Sequence, residues 1–99
     1  MLSGVPEALA PHVVAVVREG LANVAKHAGS PMAQVRVTVG GGRVEVRIID
    51  AGRGLMARGD EGHGLDNLRS RAVEAGGTFE ALDRPSGGAE LRWRAPTAG

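Results

Sequence analysis

Apolar positions along this 99-residue chain follow two rhythms, and the switches between them mark out its elements. From Pro11 onward, Val13, Val14, Val17, Leu21, Val24 and Ala28 recur at helical spacing, and Gly29 with Pro31 closes that segment. Pro11 suits a first helical turn, where a missing N–H leaves no intrahelical bond unmade. "QVRVTV" then alternates, with Val35, Val37 and Val39 on one face, and "RVEVRIID" does the same with Val44, Val46 and Ile48 inward. The glycines at 40–42 join the two as a hairpin. Residues 51–64, "AGRGLMARGDEGHG", carry five glycines and no period, which predicts a loop. "LDNLRSRAVEAGG" returns to helical spacing through Leu65, Leu68, Ala72 and Ala75 and stops at Gly76–Gly77. "TFEAL" and "AELRWRA" predict a second hairpin across "DRPSGG".

The order is therefore helix, hairpin, glycine loop, helix, hairpin. Strands with polar alternates need only one face covered, so the pattern predicts an α+β two-layer sandwich with helices on one side of the sheet. Residues 1–99 make one domain, which buries roughly 60–70% of its unfolded surface. Phe79 and Trp93 are its only Phe, Trp or Tyr residues, so Val, Leu, Ile and Ala must build the core.

Charge and composition remove several function classes. Twelve basic against eleven acidic residues leave a net charge of +1, which argues against an electrostatic nucleic-acid binder. There is no cysteine, hence no disulfide and no thiolate metal site, which fits a reducing, cytoplasmic setting. No run of 18 apolar residues is present to span a membrane.

Candidate chemistry begins on the first helix. At about 100° per residue, with Glu19 at zero, Asn23 falls at roughly 40°, His27 at roughly 80° and Lys26 at roughly −20°, while the Val/Leu stripe centres near 170°. Such a polar face is most often simply solvated. Asn, however, is a poor interior helix former, because its amide competes for backbone groups. An Asn with an acid one turn before it and two cations just after is also a ligand set. Its amide oxygen suits a hard cation, the carboxylate can order or deprotonate a water, and the cations can meet phosphate.

Two further positions bear on this. Asp50 ends an apolar strand with Gly52 and Gly54 directly after it, either as an ordinary turn or as an acceptor for an exocyclic amine beside backbone that a flat ring can approach. Gly62, His63 and Gly64 open the second helix, where unpaired N–H groups favour phosphate. Other signatures fail. There is no G-x-x-x-x-G-K-[ST], and "GRGLMA" lacks the third glycine of a dinucleotide fingerprint. His12, His27 and His63 have no metal-site spacing, and nothing positions Ser70 or Ser86 in a Ser–His–Asp triad.

Taken in order, "EGLANVAKHA", "DAGRG" and "GHGLDNLRSRAVEAGG" resemble the N box, the D-x-G-x-G box and the second glycine box of the ATP-binding catalytic domain of bacterial sensor histidine kinases. That family belongs to the GHKL (gyrase, Hsp90, histidine kinase, MutL) superfamily, and the likeness runs from about Val5 to Pro96. With only Leu55 to Glu61 between the glycine boxes, the chain is most similar to the subfamily of the DosS/DevS and DesK kinases, which partner NarL-type response regulators. The resemblance implies a Bergerat fold, a two-layer α/β sandwich with a mixed, mostly antiparallel sheet, binding ATP and Mg²⁺. It implies that Asn23 binds Mg²⁺ and that Glu19 acts catalytically by polarising a water or holding the metal shell. Lys26 and His27 would sit near phosphates or ribose, and Asp50 would accept from the adenine amine. Gly52 and Gly54 would shape the pocket floor, and Gly62, His63, Gly64 and Leu65 would hinge a mobile lid over the triphosphate.

Two departures accompany it. Ala89 stands where a Thr is common, and the 99 residues hold neither dimerisation helices nor a phosphoacceptor-His motif. The expectation is a fragment of a kinase that is homodimeric at full length and that transfers phosphate to a phosphoacceptor helical domain. The alternatives are an anti-sigma-factor-type serine kinase of the same fold, disfavoured by the short lid, and a non-catalytic nucleotide-binding interaction module.

Overall fold

The computed structural model describes residues 4–28, 32–51 and 63–97, with the backbone alone at 27, 28, 63 and 64. Helix α1 (Ala10–Asn23) runs into a π-helical turn (Val24–Ala28). Then come β1 (Ala33–Gly40), β2 (Arg43–Asp50), α2 (His63–Glu74), β3 (Thr78–Asp83) and β4 (Ala89–Pro96). The strands form one sheet in the order β1-β2-β4-β3, and all three described pairings are antiparallel. Both expected hairpins and the one-sided helical layer are present.

The β1–β2 hairpin turns on two residues, Gly41 and Gly42, with φ of 61° and 80°. Two successive positive φ values define a type I′ turn, whose twist matches that of the flanking strands. Along β2, Val44, Val46 and Ile48 point into the core, and β4 answers with Ala95, Trp93 and Leu91 directly opposite. Trp93 is the largest side chain buried there and also lies opposite Phe79 of β3. The His12 ring of α1 stacks on Trp93, with centroids 6.3 Å apart.

Helix α1 is rotated from the orientation its apolar stripe predicts. Val13, Val16, Gly20, Asn23 and Val24 face the core, whereas Val14 and Leu21 are 43% and 39% exposed. The cause is Gly20. A Cβ at that position would collide with Ile48 Cδ1, so the helix lies on the sheet along the groove that glycine opens. Asn23, one turn later on the same line, turns inward with it. The expectation that the polar face lies opposite the core is thus wrong for Asn23, which is buried at 4% exposure.

Helix α2 begins at His63, two residues earlier than its apolar spacing predicts, and buries Leu68 and Ala72. It ends in a Schellman motif. The Gly77 N–H donates to the Ala72 carbonyl at 2.8 Å and the Gly76 N–H to the Val73 carbonyl at 3.0 Å, with Gly76 at φ 77°. Gly77 then passes so near β4 that a Cβ would overlap the Arg94 carbonyl.

The opposite sheet face is a charge ladder. Arg47 and Arg92 are directly opposed on β2 and β4, a repulsive pairing. Glu90 lies between them. It accepts two bonds from Arg47 (2.9 and 3.0 Å) and one from Arg92 Nε at 2.9 Å. Arg94 joins Glu45 at 2.6 Å and Glu80 at 3.4 Å. The Arg47 hydrogen bond, aided by Arg92 and opposed by burial, holds the Glu90 carboxyl below its ordinary pKa.

Two stability predictions follow from these contacts. Gly77→Ala forces a methyl into backbone that cannot yield and should cost about 3 kcal/mol in urea unfolding. Gly41→Ala meets open space and carries only positive-φ strain, about 1–2 kcal/mol; equal losses would refute the steric account. A carboxyl with a depressed folded pKa contributes stability above its unfolded value, and that contribution fades as pH falls through the folded one. The stability gap between the wild type and Glu90→Gln should therefore be full above the ordinary value of 4.5 and narrow below it. A pH-independent gap would mean that Glu90 acts through packing alone.

Candidate functional site

The two helices and the central strands bring their polar positions to one end of the domain. The start of α1 (Leu9, His12), the end of α2 (Glu74, Ala75) and Pro96 line a common cavity of about 270 Å³. Pro96 pairs with Arg43, the first residue of β2. So α1 runs in the direction of β2, and α2 runs against both. Asn23 at the end of α1, Asp50 at the end of β2 and the first turn of α2 consequently share the opposite end.

Asp50 follows Val44, Val46 and Ile48 in the alternation, so its side chain faces the helical layer, 2% exposed. Its Oδ1 accepts from the Ala89 N–H at 3.3 Å, which ties the carboxylate to the start of β4. This bond uses Ala89's backbone and is independent of the side chain there. Gly88 lies directly behind, at φ 84°, and a Cβ there would overlap the Asp50 carbonyl. That carbonyl also accepts from Arg84 Nη1 at 3.4 Å. A cleft of about 500 Å³ reaches Asp50, bounded by Met32, Gln34, Ile49 and Arg84.

On α1, Glu19 is half-buried. Its Oε2 accepts from Arg71 Nη2 of α2 at 2.9 Å, with side chains 26% and 31% exposed. Glu19 Oε1 and Arg71 Nε are both shielded from solvent and have no protein hydrogen-bond partner among the described residues. Leaving such a buried group unmatched costs about 1–3 kcal/mol, which a purely structural ion pair would avoid by bidentate pairing. Lys26 is exposed on the π-helical turn, one turn past Asn23. A helix that widens to π geometry often does so at a functional site.

His63, Gly64 and Leu65 form the first turn of α2 rather than a loop ahead of it, so their N–H groups are among those a helix leaves without intrahelical acceptors. Gly52, Gly54, Gly62 and the expected lid, Leu55 to Glu61, lie outside the described residues, as do the side chains of His27 and His63. Among the described residues there is no cluster of three or more His, Cys, Asp or Glu able to hold a metal.

Arg71, Arg84 and Gly88 escaped the sequence reading. Arg71 looks like any solvated arginine of a helix, since its partner stands 52 positions away. Gly88 reads as a hairpin glycine, and only its approach to Asp50 reveals the second constraint.

Residues 8–99 match the family described as histidine kinase-, DNA gyrase B-, and HSP90-like ATPase. The chain belongs to that family. Among curated relatives, the sensor protein VraS of Staphylococcus aureus (strain COL) is 28% identical over 94 residues, covering 93% of this chain and 27% of VraS. VraS of Staphylococcus epidermidis (strain ATCC 12228 / FDA PCI 1200) gives the same figures. The chain thus spans about a quarter of the length of these relatives. Among solved structures, the ATP binding domain of PrrB from Mycobacterium tuberculosis is similar at a TM-score of 0.71 and 29% identity, over 86% of this chain and 66% of that one. The blue-light activated histidine kinase EL346 of Erythrobacter litoralis gives 0.78 and 27%, over 95% and 32%. At family level, then, this is a histidine kinase-type ATPase domain, and the four-stranded sheet with helices on one face is that family's fold.

Proposed function

We propose that this ATPase-family domain binds Mg-ATP and donates the γ-phosphoryl group to a phosphoacceptor histidine of a sensor kinase in two-component signalling. The carrying observation is the convergence of Asn23, Asp50 and the first turn of α2 at one end of the domain. Similarity to a sensor protein and to a histidine kinase supports this reading over a serine kinase of the same fold.

Asp50 accepts the adenine amine, with its carboxylate oriented by the Ala89 N–H and backed by the close approach of Gly88. Asn23, by its amide oxygen, and Glu19, by Oε1 through water, would hold Mg²⁺, which would supply the charge neutralisation that phosphoryl transfer needs. The free N–H groups of His63, Gly64 and Leu65 meet phosphate oxygens, with Lys26 and His27 alongside. Gly52, Gly54 and Gly62 complete the floor and the lid hinge, and lid closure excludes water from the transfer. Positioning and electrostatics carry the reaction, since the acceptor imidazole is itself the nucleophile.

The domain works in a cytoplasmic setting, where ATP is available. Among the described residues, no helix is long and apolar enough to cross a membrane. Its acceptor lies on a helical region of a homodimeric kinase, and the short segment between the glycine boxes supports a likeness to the DesK-like kinases that signal to NarL-type regulators. Incubating the domain with a purified phosphoacceptor-helix domain and ATP tests the assignment. Acid-labile phosphohistidine is the expected product; phosphoserine on an added antagonist protein would favour the serine-kinase alternative, and no transfer the non-catalytic one.

Asp50→Ala should abolish ATP binding in calorimetry, and ITP, which lacks the exocyclic amine, should bind the wild type far more weakly than ATP. Unchanged affinity in either case would remove Asp50 from the adenine site. Asn23→Ala should weaken Mg²⁺-ATP far more than ATP in chelator. Equal losses under both conditions would remove Asn23 from the metal shell.

A further inference from the structure

The contact between Glu19 and Arg71 has three features that a surface ion pair lacks. It joins the two helices of the layer across 52 positions of sequence, at 2.9 Å, with both side chains largely enclosed. It uses only one oxygen and one nitrogen, although an arginine fork and a carboxylate can pair through two bonds, as Arg47 and Glu90 do on the other face of this same sheet. Finally, the oxygen left over, Oε1, is shielded from solvent with no protein donor among the described residues. One oxygen is anchored and the other is held in reserve.

We propose that Arg71 is a positioning residue for phosphoryl transfer: from α2 it fixes the rotamer of Glu19, so that Oε1 is presented to an ordered water of the Mg-ATP site. The inference rests on the proposed function and adds a residue to it. Glu19 stands on α1 one turn before Asn23, so a carboxylate swung toward solvent would leave the metal shell without its water acceptor. The guanidinium prevents that swing. Its planar fork keeps its direction better than an ammonium would. The same bond ties the orientation of Glu19 to the seating of α2.

The test uses the 99-residue chain with a separate phosphoacceptor-helix domain, reading Mg-ATP affinity by calorimetry, kcat and KM for transfer, and melting temperature. Arg71→Met keeps the apolar stem of the side chain and removes the charge; Arg71→Lys restores charge without the fork. Arg71→Met should lower kcat roughly 10- to 100-fold, in line with the loss of a partner that orients a group of a metal site. KM and Mg-ATP affinity should stay within about twofold, Arg71→Lys should recover part of the lost rate, and Arg71→Met on a Glu19→Ala background should cost nothing further. Unchanged kcat in Arg71→Met would overturn the inference. So would a loss that appears equally on a Glu19→Ala background, or one that tracks a fall in melting temperature shared by Arg71→Lys. If Arg71→Met does not fold, Arg71→Lys and Glu19→Ala decide: a lowered kcat in Arg71→Lys that vanishes on the Glu19→Ala background supports positioning, and an unchanged kcat or a loss that persists on that background overturns it. A wild-type chain that binds no Mg-ATP would overturn the proposed function, whereas one that binds and transfers while Arg71→Met matches it would overturn only the role of Arg71.

Discussion

The seating of α1 on β2 at Gly20 and Ile48 governs where every other functional group goes. A helix that packs through a glycine approaches its sheet closely and has little freedom to rotate, because the neighbouring side chains must interdigitate with the strand. Here Val13 and Val16 on one side of the contact and Asn23 and Val24 on the other fall on the same buried line. Had the helix docked on its full Val/Leu stripe instead, Val14 and Leu21 would lie inward and Asn23 would point to water. An amide buried at the rim of the core is costly unless something specific meets it. The packing of one methyl group of Ile48 against one missing Cβ thus fixes the chemistry at the far end of the helix.

The second half of the chain is constrained in the same manner from the other end. Gly77 lets the chain emerging from α2 pass against the β4 backbone, and the Schellman motif at Gly76 and Gly77 sets the angle at which α2 leaves it. With its C-terminus pinned there, α2 must point its first turn toward the end of β2. Gly88 repeats the device beside Asp50. Three glycines in three different parts of the chain therefore act on one result, the mutual placement of α1, α2 and the strand ends. The charge ladder on the outer sheet face contributes in another way: Glu90 relieves the opposed Arg47 and Arg92 and so protects the β2–β4 register on which the position of Asp50 depends.

Much of this was legible in the sequence, because period and turn chemistry are local signals. Alternation in 34–39 and 43–50, the type I′ glycines and the Gly76–Gly77 stop each depend on residues a few positions apart, and the structure agrees with each. The rotation of α1 was not legible. Its apolar stripe is wider than the core needs, and which part docks depends on Ile48, 28 positions away from Gly20 and on another element. The start of α2 was misplaced by two residues for a related reason, since His63 and Gly64 carry no apolar period to announce a helix. At the candidate site, Glu19, Asn23 and Asp50 were visible as residues out of place for their elements. Arg71 was not, because an arginine on a helix is unremarkable until its partner is known.

A small domain has little surplus stability, so polar groups held inside it call for an explanation. Among the described residues, Asn23, Asp50 and Glu90 are the buried polar ones. Glu90 is fully engaged by two arginines and stabilises the sheet. Glu19 is different, enclosed enough to need partners yet anchored through a single oxygen. Asp50 is engaged as well, its Oδ1 accepting from the Ala89 N–H at the start of β4. The contrast is between the two faces of the sheet: on the outer face Arg47, Arg92 and Arg94 engage Glu90, Glu45 and Glu80, while between the two helices the Glu19 carboxylate is held through one oxygen and the other has no protein partner among the described residues. Holding an oriented acceptor partly in reserve suits a ligand site, because a ligand then finds it already aimed and need not reorganise the protein to use it.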